Sequence, residues 1–271
     1  PTSGGSSPRG PGPGNTVVPV RYVALGDSVT EGVGDERADG SVRGWADRVA
    51  EGLALATQEP VQYANLAIRG RKLGPIVDQQ LDAALALLPA VMTYNGGGND
   101  IMRRHVDMGR LMELSRHVVD RCRTAGVRLI VLAGPDPTSR IPLGQVVHRR
   151  GEALTADIVA LTDEFGLTFV DMWHDQEIRR PGYWGADRIH LNAAGHRRVA
   201  GQVLAALGHP APATTTRVED PHRSVSDNLL FYRQHVGPWL RRRLQGRSSG
   251  DHRTAKHPDY VTISPREVPR G

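Results

Sequence analysis

An α/β fold with a parallel sheet and helices on both faces is what this sequence predicts, on three observations. Five short apolar runs, rich in β-branched residues, are spaced along residues 20–208. Strands buried on both faces read this way, because neither face has to be polar. Amphipathic stretches of helical period separate the runs, and strand–helix alternation is the pattern of a parallel sheet. Glycine-rich or polar segments follow the runs, at the carboxyl ends where such sheets bind ligands.

The first strand candidate is RYVALG (21–26), which leads into Asp27 and Ser28. A helix follows in WADRVAEGLALAT (45–57), with Trp45, Val49, Leu53 and Ala56 on one face. The second strand candidate, VQYANL (61–66), is followed by Ala67, Ile68, Arg69 and Gly70. Ile76, Gln80, Ala84 and Leu88 then share a helical face, and Pro89 stops that helix. AVMTYN (90–95) leads into GGGND, Gly96 to Asp100, and a helix fits 107–125. RLIVLA (128–133) leads into Gly134 to Arg140, a helix fits 151–165, and LTFVDM (167–172) is the fifth strand. WGADRIHLN, Trp184 to Asn192, separates it from a last helix over 193–207, for which Asn192 is the expected N-cap. The polar segments are expected to gather at one edge of the sheet.

The chain has 271 residues, enough for one large domain or two small ones, and 39% of them are hydrophobic, which permits a sizeable core. No window approaches the roughly 18 consecutive apolar residues of a membrane span. The opening PTSGGSSPRGPGPG lacks the hydrophobic segment of a signal peptide and reads as a flexible tail over 1–19. The single cysteine, Cys122, cannot form an intramolecular disulfide and sits in a helical pattern as a packed thiol. A cytoplasmic location is the expectation from these features. Residues 209–271 hold 11 Lys+Arg and 6 Asp+Glu and so carry the whole net charge of +5, while residues 1–208 balance at 23 of each.

The stretch GDSVTEG, Gly26 to Gly32, concentrates the chemical question. Val33 follows Gly32 where a phosphate-binding P-loop needs lysine, and the third glycine of a dinucleotide fingerprint is absent. DERADG does not have the carboxylate spacing of a calcium loop. Thr30 stands where the GxSxG elbow needs glycine. A serine nucleophile of another kind remains. It needs a base, a group to orient the base, and oxyanion donors. His190 is the candidate base, and Asp187, three residues before it, can reach imidazole Nδ1 on a tight turn. The Ser28 and Gly70 amides and the Asn99 side chain are candidate oxyanion donors. Asp27 and Asp100 are read as organisers of their turns, and His196 as a packed or exposed histidine. His105, His117, His148 and His174 lack metal-ligand spacing, so no metal or other cofactor is expected.

These blocks resemble the SGNH hydrolases, the GDSL-type lipases and esterases. The family's four named residues match Ser28 in GDSVTEG, Gly70 in NLAIRG, Asn99 in GGND and His190 in DRIHLN, and Asp187 matches its triad aspartate. The blocks occur in the family's order over roughly residues 20–208, with Val29 where the namesake motif has leucine. RGWADRVA and the Arg-rich end are similar in style to actinobacterial members. The resemblance implies a three-layer α/β/α sandwich with a five-stranded parallel sheet. It also implies metal-free hydrolysis of an ester, or transfer of its acyl group to another acceptor through the same triad.

The expected partner is a small-molecule acyl ester. Arg103, Arg140, Tyr183 and Trp184 are candidate substrate-binding residues, and Pro135–Leu143 is the candidate loop over the site. No long apolar lid is present, which favours an esterase for small or medium acyl groups over a triglyceride lipase. Beyond the domain, 209–225 reads as a linker, 226–245 as a helical extension bent at Gly237-Pro238, and 246–271 as an extended or disordered basic tail. The Arg241–Arg243 cluster raises membrane or nucleic-acid contact; nucleic acid is disfavoured because no recognised module surrounds the arginines, and a helical extension packed back on the domain is preferred to a membrane contact. A non-catalytic binding module on the same fold is the contrasting reading, and the intact Ser28, Asp187 and His190 argue against it.

Overall fold

Alternate side chains of a strand point to opposite faces, so a run that is apolar throughout must be covered twice. The first strand obeys this. Tyr22 and Ala24 enter one core cluster and Val23 and Leu25 the other, all fully buried. A computed structural model of the chain describes residues 19–141, 144–209, 218–221 and 250–265. Residues 1–18 of the expected 1–19 tail, most of the 209–225 linker, the 226–245 extension with Arg241–Arg243, and Pro142 and Leu143 lie outside the described residues.

In chain order the elements are β1 (Val20–Leu25), α1 (Ser28–Glu31), α2 (Trp45–Thr57), β2 (Val61–Asn65), α3 (Leu73–Ile76), α4 (Asp82–Ala86) and β3 (Val91–Asn95). Then follow α5 (Gly98–Ile101), α6 (Met108–Thr124), β4 (Arg128–Ala133), α7 (Gly144–Phe165), β5 (Thr168–Asp171), α8 (Ala193–Ala206) and β6 (His257–Ile263). A π-helical turn, Val77–Leu81, joins α3 to α4 into one bent helix. The sheet order is β5-β4-β3-β1-β2-β6, and β1 to β5 run parallel. Helices α2 and α8 cover one face, with Gly52 set against Leu204, while α3, α6 and α7 cover the other. The three-layer α/β/α architecture expected from the sequence is present.

The strand count differs from the expectation. The sheet has six strands, because β6 adds antiparallel to β2. From sequence this segment belongs to the basic stretch 246–271, for which an extended or disordered tail is the expectation. The physical reason for its order is the free edge of β2, which would otherwise present unpaired backbone groups. Val261 and Ile263 pack on one core cluster and Tyr260 on the other. Lys256 anchors the strand's entry, donating to Asp47 Oδ2 at 2.7 Å and to the Glu31 carbonyl at 3.3 Å.

The order of the strands locates the crevice. From β1 the chain moves to β2 on one side and returns as β3 on the other. The loops after β1 and β3 therefore diverge, leaving a cleft at their carboxyl ends, the usual ligand site of such sheets. Those loops carry Ser28 and Asn99.

Candidate active site

The β1–α1 turn is held from several sides. Asp27 caps α1 by accepting the Val29 N–H at 3.2 Å, and Ser28 is the first helical residue, 9% exposed. Gln80, brought inward on the π-helical turn, accepts the Gly26 N–H at 2.9 Å and donates to the Gly26 carbonyl at 3.0 Å. Asn65 at the end of β2 donates to the Thr30 carbonyl at 2.9 Å. Glu31 accepts the Arg69 backbone N–H at 2.6 Å and its Nε–H at 2.9 Å. That clamp fixes the Ile68–Arg69 peptide, one residue before Gly70.

Asn99 sits on α5, and its amide nitrogen donates to Asp27 Oδ2 at 2.9 Å and to the Arg71 carbonyl at 3.0 Å. The next residue, Asp100, accepts the Leu73 N–H at 2.9 Å. The segments after β1, β2 and β3 are thus tied together by side chains of the expected blocks. Burial pushes the Asp27 carboxyl up to about 6, against the pull of the Val29 amide and the nearby His190. Burial also raises Asp100. Both aspartates serve as turn organisers.

On the opposite wall, Asp187 Oδ2 meets His190 Nδ1 at 2.6 Å, while Asp187 Oδ1 accepts the backbone N–H groups of Ile189 and His190 at 3.2 and 3.1 Å. Burial pulls the Asp187 carboxyl upward, but hydrogen bonds from His190 and the two amides hold it below the ordinary value. A carboxylate on Nδ1 leaves Nε2 of the neutral ring as the acceptor. His190 and Ser28 stand as two walls of one cavity of about 290 Å³, which Gly70, Asn99 and Asp187 also line.

Two contacts bring the walls together. His196, fully buried, accepts the Trp45 N–H on Nδ1 at 3.2 Å and donates from Nε2 to the Val33 carbonyl at 3.1 Å. Burial lowers its pKa to about 4, so it is a neutral structural imidazole. Gly34 has φ +99°, and a Cβ there would stand 2.1 Å from the Leu191 carbonyl oxygen, next to His190. Gly34→Ala is expected to destabilise the protein by about 2 kcal/mol or more and lower Tm by roughly 4–8 °C. It should also reduce ester turnover by pushing the His190 loop away from Ser28. Thermal unfolding and kcat measured side by side check both.

The other candidates divide. Arg103 lines the cavity. Arg140, Tyr183 and Trp184 are not among its lining residues and are engaged elsewhere. Arg140 stacks its guanidinium 4.7 Å from the Trp184 ring centre and donates to the Arg179 carbonyl. Trp184 Nε1 donates to the Ile178 carbonyl at 2.7 Å, and Tyr183 donates to Glu177 at 2.8 Å, both rings being buried on the α8 side. Pro135 and Pro137 do line the cavity. Cys122 is buried 3.7 Å from the Met92 sulfur, and burial pushes its thiol up to about 12, as suits a packed thiol. Among the described residues, no group of three or more His, Cys, Asp or Glu side chains is arranged to hold a metal ion.

The model of the GDSL-like lipase/acylhydrolase family matches residues 24–198. The chain belongs to that family. As a GDSL-family protein it is a carboxylic ester hydrolase. It is 30% identical over 186 residues to "GDSL lipase Rv0518" of Mycobacterium tuberculosis (strain ATCC 25618 / H37Rv), covering 66% of this chain and 78% of that relative. Among solved structures it is similar in fold to the lipase Lip_vut3 from a goat rumen metagenome, with TM-score 0.60 and 18% identity over 70% of this chain and 98% of that one. A catalytic mutant of Axe2, an acetylxylan esterase from Geobacillus stearothermophilus, matches with TM-score 0.60 and 16% identity over 73% and 99% of the two chains. The match of the GDSL family ends before β6.

Sequence reasoning missed Gln80, the Glu31–Arg69 clamp and the apolar side of the cavity. Gln80 carried a signal, since an amide stands there among the apolar positions Ile76 and Ala84 of one helical face. The clamp joins residues 38 apart in sequence and left no local signal.

Proposed function

We propose that this GDSL-family protein is a serine esterase that hydrolyses a small or medium acyl ester through an acyl-enzyme intermediate. The observation that carries the reading is the single cavity lined by Ser28, the hydrogen-bonded Asp187–His190 pair, Gly70 and Asn99. Ser28 Oγ attacks the ester carbonyl carbon as its proton passes to His190 Nε2. The resulting imidazolium is held by the Asp187 carboxylate. The tetrahedral oxyanion is met by the Ser28 and Gly70 amides and by Asn99. Collapse expels the alcohol, which takes the proton from His190, and leaves the acyl group on Ser28. Water, deprotonated by the same imidazole, then releases the acid.

Asn99 enters this scheme with a constraint. Its amide already donates to Asp27 and to the Arg71 carbonyl, so the oxyanion competes with those two acceptors. Asn99→Ala is expected to lower kcat by about 10²–10³-fold with little change in KM, because the donor acts on charge that develops in the transition state. Steady-state kinetics on a p-nitrophenyl ester reads the split.

The reading is tested with a fluorophosphonate probe on the native protein, followed by peptide mapping. One adduct on Ser28, absent after heat denaturation, is the expected result. Labelling confined to another serine, or none from an enzyme that hydrolyses esters, would overturn it.

A further inference from the structure

A helix that packs on a sheet ordinarily spends its whole apolar stripe on the sheet. α7 departs from this. Val147, Gly151, Leu154 and Ile158 follow one another at helical spacing along one face, and all of them line the cavity that holds Ser28 and His190. Facing them are Tyr94 of β3, Val131 of β4 and Ser115 of α6, each 3% exposed or less. The cavity therefore does not stop at the reacting groups. It continues beneath α7 into the larger of the two core clusters.

The chemistry of the inner part is predominantly apolar. Tyr94 Oη and Ser115 Oγ satisfy each other 3.2 Å apart, and Thr155 of α7 brings a third hydroxyl to the lining. The acidic and basic side chains that line the cavity, Asp27, Arg103, Asp187 and His190, belong to the loops at the sheet edge and not to this inner wall. Gly151 keeps the passage bounded, since a Cβ there would stand 2.0 Å from the Trp173 ring, and the ring itself lines the space. Such a space suits the hydrocarbon part of a substrate held by its carbonyl at Ser28.

We propose that the inner cavity is an acyl-chain pocket, and that Leu154 and Ile158 on α7 set the length of chain it accepts. This rests on Ser28 being the nucleophile. The whole cavity, mouth included, has about 290 Å³ and holds on the order of ten groups the size of a water or methylene, part of which the carbonyl and the leaving alcohol occupy. The substrate class is then esters of medium-chain acids, about six to eight carbons, in preference to acetyl esters. Each methylene taken from water into the pocket raises kcat/KM by at most about fourfold, and by less where its burial is partial.

The experiment is a p-nitrophenyl ester series from acetyl to hexadecanoyl, run with the wild type, Ile158→Phe and Ile158→Ala, with fluorophosphonate labelling of Ser28 on each. In the wild type, kcat/KM should rise at least ~30-fold from acetyl to octanoyl and fall again for the longest chains. Ile158→Phe should lower the octanoyl-to-acetyl ratio about tenfold or more by filling the pocket. Ile158→Ala, which cannot overpack, should move the optimum to longer chains and keeps the test open if Ile158→Phe fails to fold. A wild-type series that is flat or falls from acetyl onward overturns the pocket, as do variants that scale every chain length equally. A labelled Ser28 with such a series sinks the acyl pocket alone. An unlabelled Ser28 sinks the nucleophile assignment beneath it.

Discussion

Ser28→Ala is expected to lower kcat on a p-nitrophenyl ester by about 10⁴-fold or more, with Tm unchanged within a few degrees. The contrast between the two readouts comes from where Ser28 sits. It is the first residue of α1, and the cap of that helix is Asp27, whose bond to Val29 does not involve the serine side chain. Alanine is a better helix former than serine and is smaller, so the turn loses nothing it depends on. The hydrogen bonds that shape the turn come from Gln80, Asn65 and Glu31, and all act on backbone or on Arg69. On the proposed mechanism, what alanine removes is the attacking oxygen alone. The residual rate that the proposed oxyanion donors, Gly70 and Asn99, would support then sets the floor. A Ser28→Ala protein that kept a tenth of the wild-type rate would show that a different group attacks the carbonyl.

The elements that packing dictates were legible from residue type. β1 to β5 fall within a residue or two of their apolar runs, and α2, α6 and α8 follow their periodicity, because each is decided by local pattern and burial together. α7 begins seven residues earlier than the 151–165 expected from the sequence. Its first two turns carry Gln145, Arg149 and Arg150 beside Val147, too few apolar positions to read as a packed face. Those turns are held instead by tertiary bonds, with Arg150 donating to the Ile101 and Arg103 carbonyls at 3.1 and 2.6 Å. The π-helical turn before α4 has no local signature either, since Gln80 is drawn inward by Gly26, 54 residues away. The Asp187–His190 pair was readable because three residues of spacing place both groups on one turn. The pocket under α7 was not, because Leu154 and Ile158 are indistinguishable from core residues until the space beside them is seen.

The second large effect is expected for Asp187→Asn, a loss of about 10⁴-fold in kcat at neutral pH. One oxygen of Asp187 already accepts two backbone N–H groups, from Ile189 and His190. In the variant the remaining carbonyl oxygen keeps those bonds, which turns the amide NH2 toward His190 Nδ1. A donor facing Nδ1 demands a lone pair there, so the proton moves to Nε2, the atom that accepts the Ser28 proton in the proposed mechanism. The imidazolium also loses its counter-charge. Stability should respond with a definite sign. Despite the upward pull of burial, the hydrogen bonds from His190 and the two amides keep the Asp187 carboxyl below its ordinary 3.8 in the folded protein. A depressed carboxyl contributes stability that is fully present above the unfolded value and lost as pH falls through the folded one. Wild type should therefore exceed Asp187→Asn in stability at pH 5 to 7, and the gap should close as pH drops below about 3.8, where the acid and the amide become isosteric and uncharged. Denaturant melts at pH 6 and pH 3 test this. A gap that widens in acid would mean that Asp187 is held neutral and that the pairing with His190 does not carry the site.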